Sequence, residues 1–131
     1  MGRAIALALA RAGMDIAIGF HGSAAAARQT RRDVEALGVH AVSLRVDLAS
    51  PVAARRLVSE AATALGGLDV LVNSAAVFAS APFPKVTPAT YDRFLNVNLR
   101  GAFFAAQAAA RLMERSGGAI VNIGDAAAPS A

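Results

Sequence analysis

Gly2 stands at the start of an apolar helical pattern, where the first backbone N–H groups have no intrahelical partner and a missing side chain lets an anion approach closely. A glycine there also serves as a plain helix start. His21 and Ser23 flank Gly22 directly after a short apolar run, with Arg28 about a turn beyond. Imidazole, hydroxyl and guanidinium suit a phosphate; the same residues make an ordinary turn and N-cap. Asp47 follows a second apolar run, and a carboxylate at such a turn either caps local N–H groups or accepts from a ligand amino group. Asn73-Ser74-Ala75-Ala76 follows a third run, where small side chains let a ligand lie against backbone or let strand and loop pack closely.

These groups need elements to place them, and the hydrophobic periodicity supplies a regular alternation. A helix begins at Gly2 with Ile5, Leu9 and Ala12 on one face and stops at Gly13. A strand over 15–20, a helix from Ser23 to Gly38 with Ala27, Thr30, Val34 and Leu37 inward, and a strand over 41–46 follow. Ser50-Pro51 then starts a helix through Leu57, Val58, Ala61 and Leu65, because serine at the N-cap and proline at the first helical position are both start signals. A third strand covers 68–73. One helix is expected from Thr87-Pro88 through Phe94, Leu99, Phe103 and Met113 to Gly117-Gly118, and a fourth strand over 119–123.

Composition narrows the classes. The chain has 131 residues, 13 Lys+Arg against 9 Asp+Glu, a net charge of +4 and 56% apolar residues, so it should collapse into a core rather than stay disordered. With no cysteine, a disulfide scaffold and a thiolate metal site are excluded, and no metal site is expected. Charges and turn residues cut every apolar run well short of the roughly 20 residues a bilayer demands. Lys85 is the lone lysine and the arginines are scattered, which speaks against nucleic-acid binding. No secretory or myristoylation signal is read, so a cytoplasmic protein without a membrane partner is the expectation.

Short strands alternating with helices define an α/β chain: a Rossmann-like, doubly wound parallel sheet with helices on both faces. Ligands of such sheets bind beyond the carboxyl ends of the strands, where the polar residues fall. A nicotinamide-dinucleotide sheet would carry an acid for the ribose 2′-hydroxyl after the first strand present. His21 and Ser23 stand there instead, which favours NADP (NADPH) over NAD.

Together these residues resemble the short-chain dehydrogenase/reductase family. Gly2-Arg3-Ala4-Ile5-Ala6 is similar to the last glycine of that family's cofactor turn and its helix, and Val46-Asp47-Leu48 to its adenine-binding Asp-Val. Asn73-Ser74-Ala75-Ala76 resembles Asn-Asn-Ala-Gly with two substitutions. Asn96-Val97-Asn98-Leu99-Arg100-Gly101 resembles the segment with the catalytic-helix asparagine, Asn98, and Gly118 to Ile123 the strand leading to the catalytic serine. The resemblance implies a cofactor site of Gly2, His21, Ser23, Asp47, Leu48, Asn73, Ser74 and Ala75. It also implies a small-molecule substrate and a homodimer or homotetramer of the complete protein.

Two departures resemble the pteridine reductases within that family. Gly124-Asp125 stands where the serine is usual, which implies a catalytic Asp125 that works with a tyrosine in protonating a pterin; a carboxyl in a half-buried cleft can hold its proton near neutral pH. Phe78, five residues past Asn73, resembles the aromatic that stacks a pterin against the nicotinamide. Gly22 replaces the arginine of that subgroup's His-Arg-Ser turn. The implied activity is NADPH-dependent reduction of a pterin or dihydropteridine. The alternatives are a 3-oxoacyl-carrier-protein or general carbonyl reductase, for which serine at 125 would be expected, and a noncatalytic dinucleotide-binding module.

The family's Tyr-x-x-x-Lys has no counterpart: Tyr91 is the sole tyrosine and falls in a helix. The strand preceding the first helix has none either. The expectation is therefore a single partial dinucleotide-binding domain over 1–131, its strands forming two pairs that flank a gap. Edges left unpaired there should prevent the isolated polypeptide from folding cooperatively.

Overall fold

The computed structural model of the chain describes residues 1–78 and 82–124. In order it contains α1 (Gly2–Arg11), β1 (Ile16–Phe20), α2 (Ala24–Glu35), β2 (Ala41–Arg45), α3 (Pro51–Leu65), β3 (Val70–Asn73), α4 (Pro88–Leu95), α5 (Ala102–Leu112) and β4 (Ala119–Asn122). A 3₁₀ turn spans Phe83–Lys85, and a π-helical segment, Asn96–Gly101, joins α4 to α5.

Local chemistry explains the boundaries. Ser50 Oγ accepts from Ala53 N–H at 3.3 Å with Pro51 behind it, and Thr87 Oγ1 accepts from Thr90 N–H at 3.2 Å with Pro88 behind it. Such caps contribute about 1 kcal/mol each. Gly66 ends α3 at φ 79°, a left-handed conformation that other residues adopt at a cost. Ser23 occupies the N-cap position of α2, but its hydroxyl makes no capping bond.

All strand pairs are parallel. β1 lies beside β2 with Ile16 opposite Ala41 and Phe20 opposite Arg45, whereas β3 lies beside β4 with Val70 opposite Ala119 and Asn73 opposite Asn122. Among the described residues these form two separate two-stranded sheets, as the sequence predicts.

Helices cover both faces of the first sheet, and the alternation along β1 shows how. Ile16 and Ile18 pack with Ala10 of α1, Val34 of α2 and Ala41. On the other face Gly19 leaves room for α3, since a Cβ there would lie 3.1 Å from Leu57 Cδ2. A second core joins the sheets: Ala54 and Val58 of α3 meet Ala105 and Ala109 of α5 and Met113, with Leu48, Leu68 and Leu71 around them. Val34 and Val58 are almost fully buried, each worth roughly 1.5–3 kcal/mol. Above this contact Arg55 lies 4.4 Å over the Phe104 ring and donates to Gln107 Oε1 at 3.1 Å.

The structure departs from the expected single helix over 87–113. The π segment interrupts it at the stretch that carries Asn98. The third strand is also shorter than expected, beginning at Val70 because Gly67, Leu68 and Asp69 complete the turn out of α3.

Candidate functional site

Parallel pairing in register brings the ends of all four strands to one edge of each sheet, and the residues singled out above follow those ends. Asn73 and Asn122 are register partners, and Asn73 Nδ2 donates to Asn122 Oδ1 at 2.9 Å and to the Ala102 carbonyl at 3.3 Å. One amide thus ties β3, β4 and the start of α5 together. From Asn73 the chain leaves through half-buried Ser74 and exposed Ala75 and Ala76, leaving backbone open to a ligand.

Asn98 fixes the next stretch. Its Oδ1 accepts from Val77 N–H at 2.8 Å and its Nδ2 donates to the Val77 carbonyl at 2.9 Å. A primary amide is thereby used as a peptide unit, and both Val77 groups are satisfied away from any strand. Asn98 makes this clamp from within the π segment, where the turn carries an extra residue, a distortion frequent at functional sites. Just past the clamp, Phe78 is 88% exposed and lines a shallow hollow of about 210 Å³ with Val77, Phe94 and Asn98. Phe83 is 91% exposed, so neither ring serves as a buried anchor of the loop.

At the end of β2, Asp47 Oδ1 accepts from Ala49 N–H at 3.0 Å, and the Asp47 carbonyl accepts from Ser50 N–H at 3.2 Å. One carboxylate oxygen thus closes the turn, and the other accepts nothing from the described residues. Leu48 lies against Gly101 of the π segment, where a Cβ would be 2.5 Å from the Leu48 carbonyl oxygen. This contact links the turn after β2 to the segment carrying Asn98.

His21, Gly22 and Ser23 are exposed beyond β1. Arg45 Nε donates to the His21 carbonyl at 3.3 Å, which lays the end of β2 against this turn. A Cβ at Gly2 would meet nothing within 4 Å, so the start of α1 is open to approach. Arg3 turns instead to α2, pairing with Asp33 Oδ2 at 2.8 Å. That hydrogen bond, with one from Gln29, holds the Asp33 carboxyl below its ordinary value.

The structure therefore brings Asn73 and Asn98 together through the 73–77 loop and α5, and Leu48 to the π segment. His21 and Ser23 stand apart on the first sheet. Asp125 lies outside the described residues. Sequence reasoning missed Asn122, Gly101 and Arg45. Register alone could have flagged Asn122, since it ends a strand as Asn73 does, whereas the other two depend on contacts between distant elements. No group of three His, Cys, Asp or Glu gathers as a metal site among the described residues, and no helix among them is long and apolar enough to cross a membrane.

Two half-sheets of parallel strands, wrapped by helices and carrying their polar residues at the strand ends, define a Rossmann-like α/β protein. The chain belongs to the short-chain dehydrogenase family, whose profile it matches over residues 1–130. It is 36% identical over 125 residues to L-rhamnose 1-dehydrogenase (NAD(P)(+)) of a Sphingomonas species, covering 94% of this chain and 49% of that protein. It is 34% identical over 121 residues to versicolorin reductase 1 of Aspergillus parasiticus, covering 92% and 46%. A short-chain dehydrogenase from Burkholderia cenocepacia, crystallised with NADP, superposes with a TM-score of 0.93 at 41% identity over 99% of this chain and 54% of that one. Acetoin dehydrogenase from Enterobacter cloacae gives a TM-score of 0.91 at 36% identity, covering 98% and 53%. The chain spans about half the length of these relatives.

Proposed function

We propose that the chain is the dinucleotide-binding part, a single partial domain over 1–131, of an NADPH-dependent oxidoreductase that reduces a pterin or dihydropteridine. The observation that carries the reading is the Asn98–Val77 clamp, which holds an exposed loop backbone beside an exposed aromatic face, Phe78, beyond the end of β3.

The residues present fit a dinucleotide. The start of α1 at Gly2 is open to a pyrophosphate, Asp47 keeps a carboxylate oxygen for an adenine amino group with Leu48 beside it, and the Ser23 hydroxyl is not used in capping. The NADP complex of the Burkholderia relative supports the choice of cofactor. NADPH supplies the hydride when bound. Asn73, Ser74 and Ala75 offer it backbone and small side chains, Phe78 offers a flat substrate a stacking face worth about 0.5–1.5 kcal/mol, and Asn98 keeps the loop between them in place. Asp125, which follows β4 in the sequence, is proposed to hold the proton destined for the substrate.

A carbonyl or alcohol substrate is the second reading, favoured by relatives named for L-rhamnose, versicolorin and acetoin. The test is dinucleotide binding by this chain and NADPH oxidation, with dihydrobiopterin and with acetoin, by a complete protein that also supplies the Tyr-x-x-x-Lys for which this chain has no counterpart. Pterin turnover that Asp125→Ser abolishes while sparing acetoin supports the first reading. Turnover of acetoin alone supports the second, and absence of dinucleotide binding overturns both. A small-molecule substrate and assembly as a homodimer or homotetramer are part of the proposal.

A further inference from the structure

The chains that leave β3 and β4 part company at the carboxyl end of their sheet, and a side-chain contact is what ties them there. The backbone ladder ends where Ile123 N–H donates to the Asn73 carbonyl at 2.9 Å; among the described residues no backbone hydrogen bond joins the chain after Asn73 to Gly124. Asn73, half-buried, and Asn122, exposed, stand opposite one another at that end. Asn73 Nδ2 donates twice, to Asn122 Oδ1 at 2.9 Å and to the Ala102 carbonyl at 3.3 Å.

Two acceptors on one amide nitrogen decide which way the Asn73 side chain faces. Turned over, it would set its own Oδ1 against two oxygens, so the orientation holds for as long as Asn122 presents an acceptor. Asn122 contributes that acceptor alone, since its Nδ2 donates to nothing among the described residues. Asn73 is also the first residue of the stretch that runs on through Ser74 and Ala75. A four-residue strand in a two-stranded sheet is marginal in water, so the direction in which this stretch leaves the sheet depends on such a bond.

We propose that Asn122 is a positioning residue: through Asn73 it sets the backbone of Ser74 and Ala75 against the nicotinamide half of the dinucleotide, without touching the ligand itself. The inference rests on the dinucleotide reading given above, in which Asp47 takes the adenine and the opposite end of the ligand falls to the second sheet. It adds a residue whose loss is felt at one end of the cofactor and not at the other.

The test is equilibrium binding of NADPH and of 2′-phosphoadenosine 5′-phosphate, its adenine-side fragment, to the full chain, followed by calorimetry, for the wild type, Asn122→Leu and Asn122→Asp. Asn122→Leu keeps the size and removes the acceptor. It should weaken NADPH roughly fivefold, about 1 kcal/mol, while the fragment changes less than about twofold. Asn122→Asp keeps the acceptor, and in roughly 0.5 M salt, where the added charge is screened, it should bind NADPH within about twofold of the wild type. Equal weakening of NADPH and the fragment by Asn122→Leu would mean that Asn122 only supports the fold. Unchanged NADPH binding in Asn122→Leu, or the same loss in Asn122→Asp, would mean that the bond to Asn73 positions nothing. A wild type that binds NADPH no better than the fragment would mean that the second sheet receives no part of the ligand. Each of these overturns the assignment and leaves the dinucleotide reading standing, whereas a wild type that binds neither ligand overturns both. Should Asn122→Leu fail to fold, Asn122→Ser, polar but one atom shorter, takes its place with the same expected ratio.

Discussion

Asn98 shows how much a single side chain can fix. Both of its polar atoms are committed to the backbone of Val77, so Asn98→Ala leaves two main-chain groups without partners and frees the loop after β3. Because the clamp is exposed, water replaces part of what is lost, and the expected loss of local protection is about 1 kcal/mol, read as roughly fivefold faster amide hydrogen exchange at Val77. Asp33 makes a prediction in pH. Its carboxyl is held below the ordinary value of 3.8 by the Arg3 hydrogen bond first and the Gln29 hydrogen bond second, against an opposing effect of desolvation. A depressed carboxyl stabilises the fold above its unfolded value, and that contribution disappears as the pH falls through the lower folded value. In Arg3→Gln the Asp33 titration followed by carbon NMR should move upward, towards the ordinary value. Residue type and position after a strand made Asn73 and Asp47 legible in the sequence as candidates, and the family resemblance pointed to Asn98. Their partners were not, because Val77, Asn122 and Ala102 are brought near only by register and by helix packing.

At the scale of elements, the alternation of strands and helices was readable because each has its own period and its own punctuation. Ser50-Pro51 and Thr87-Pro88 act in the structure as they read in the sequence, each hydroxyl accepting an N–H three residues on. The π segment was not readable. Nothing in Asn-Val-Asn-Leu-Arg-Gly departs from helical periodicity, and the extra residue in the turn accompanies two tertiary constraints, the Val77 clamp and the approach of Leu48 to Gly101. The second constraint is testable. In Gly101→Ala the new methyl would sit 2.5 Å from a backbone carbonyl oxygen and 2.9 Å from Leu48 Cβ, so one of the two segments must move. Loss of helical circular dichroism signal at lower urea is expected, together with weaker dinucleotide binding if Asp47 meets the adenine as proposed above, because the displaced turn carries it.

Across the whole molecule, the sequence foretold two separate strand pairs, and the structure has them. Neither sheet carries more than two strands among the described residues, and isolated pairs are marginal in water. Cohesion between them depends on α3, which packs on β1 and β2 and also against α5. A broad, gradual thermal transition monitored by circular dichroism is therefore expected for the 131-residue polypeptide, and a sharp two-state melt of a monomer would contradict it. The α3–α5 contact was the least legible feature at this scale, since alanine-rich helices advertise no particular partner.

That contact is made largely by methyl groups: Ala54 and Ala109 have no exposed surface, and Ala105 is 3% exposed. Methyls have no rotamers to exchange, so where these alanines meet, the distance between the two helices is not adjusted by rearranging side chains. The two sets of strand ends hang from these helices, His21 and Asp47 on one side and Asn73 and Asn122 on the other. On the dinucleotide reading proposed above, the span the cofactor bridges is accordingly gauged by a few carbon atoms far from any group that would touch it. Ala109→Leu should force the helices apart, read as faster amide hydrogen exchange in α3 and α5. It should also loosen dinucleotide binding while every residue facing the ligand stays as it was, so that a methyl spacer rather than a polar contact sets the reach of the cleft.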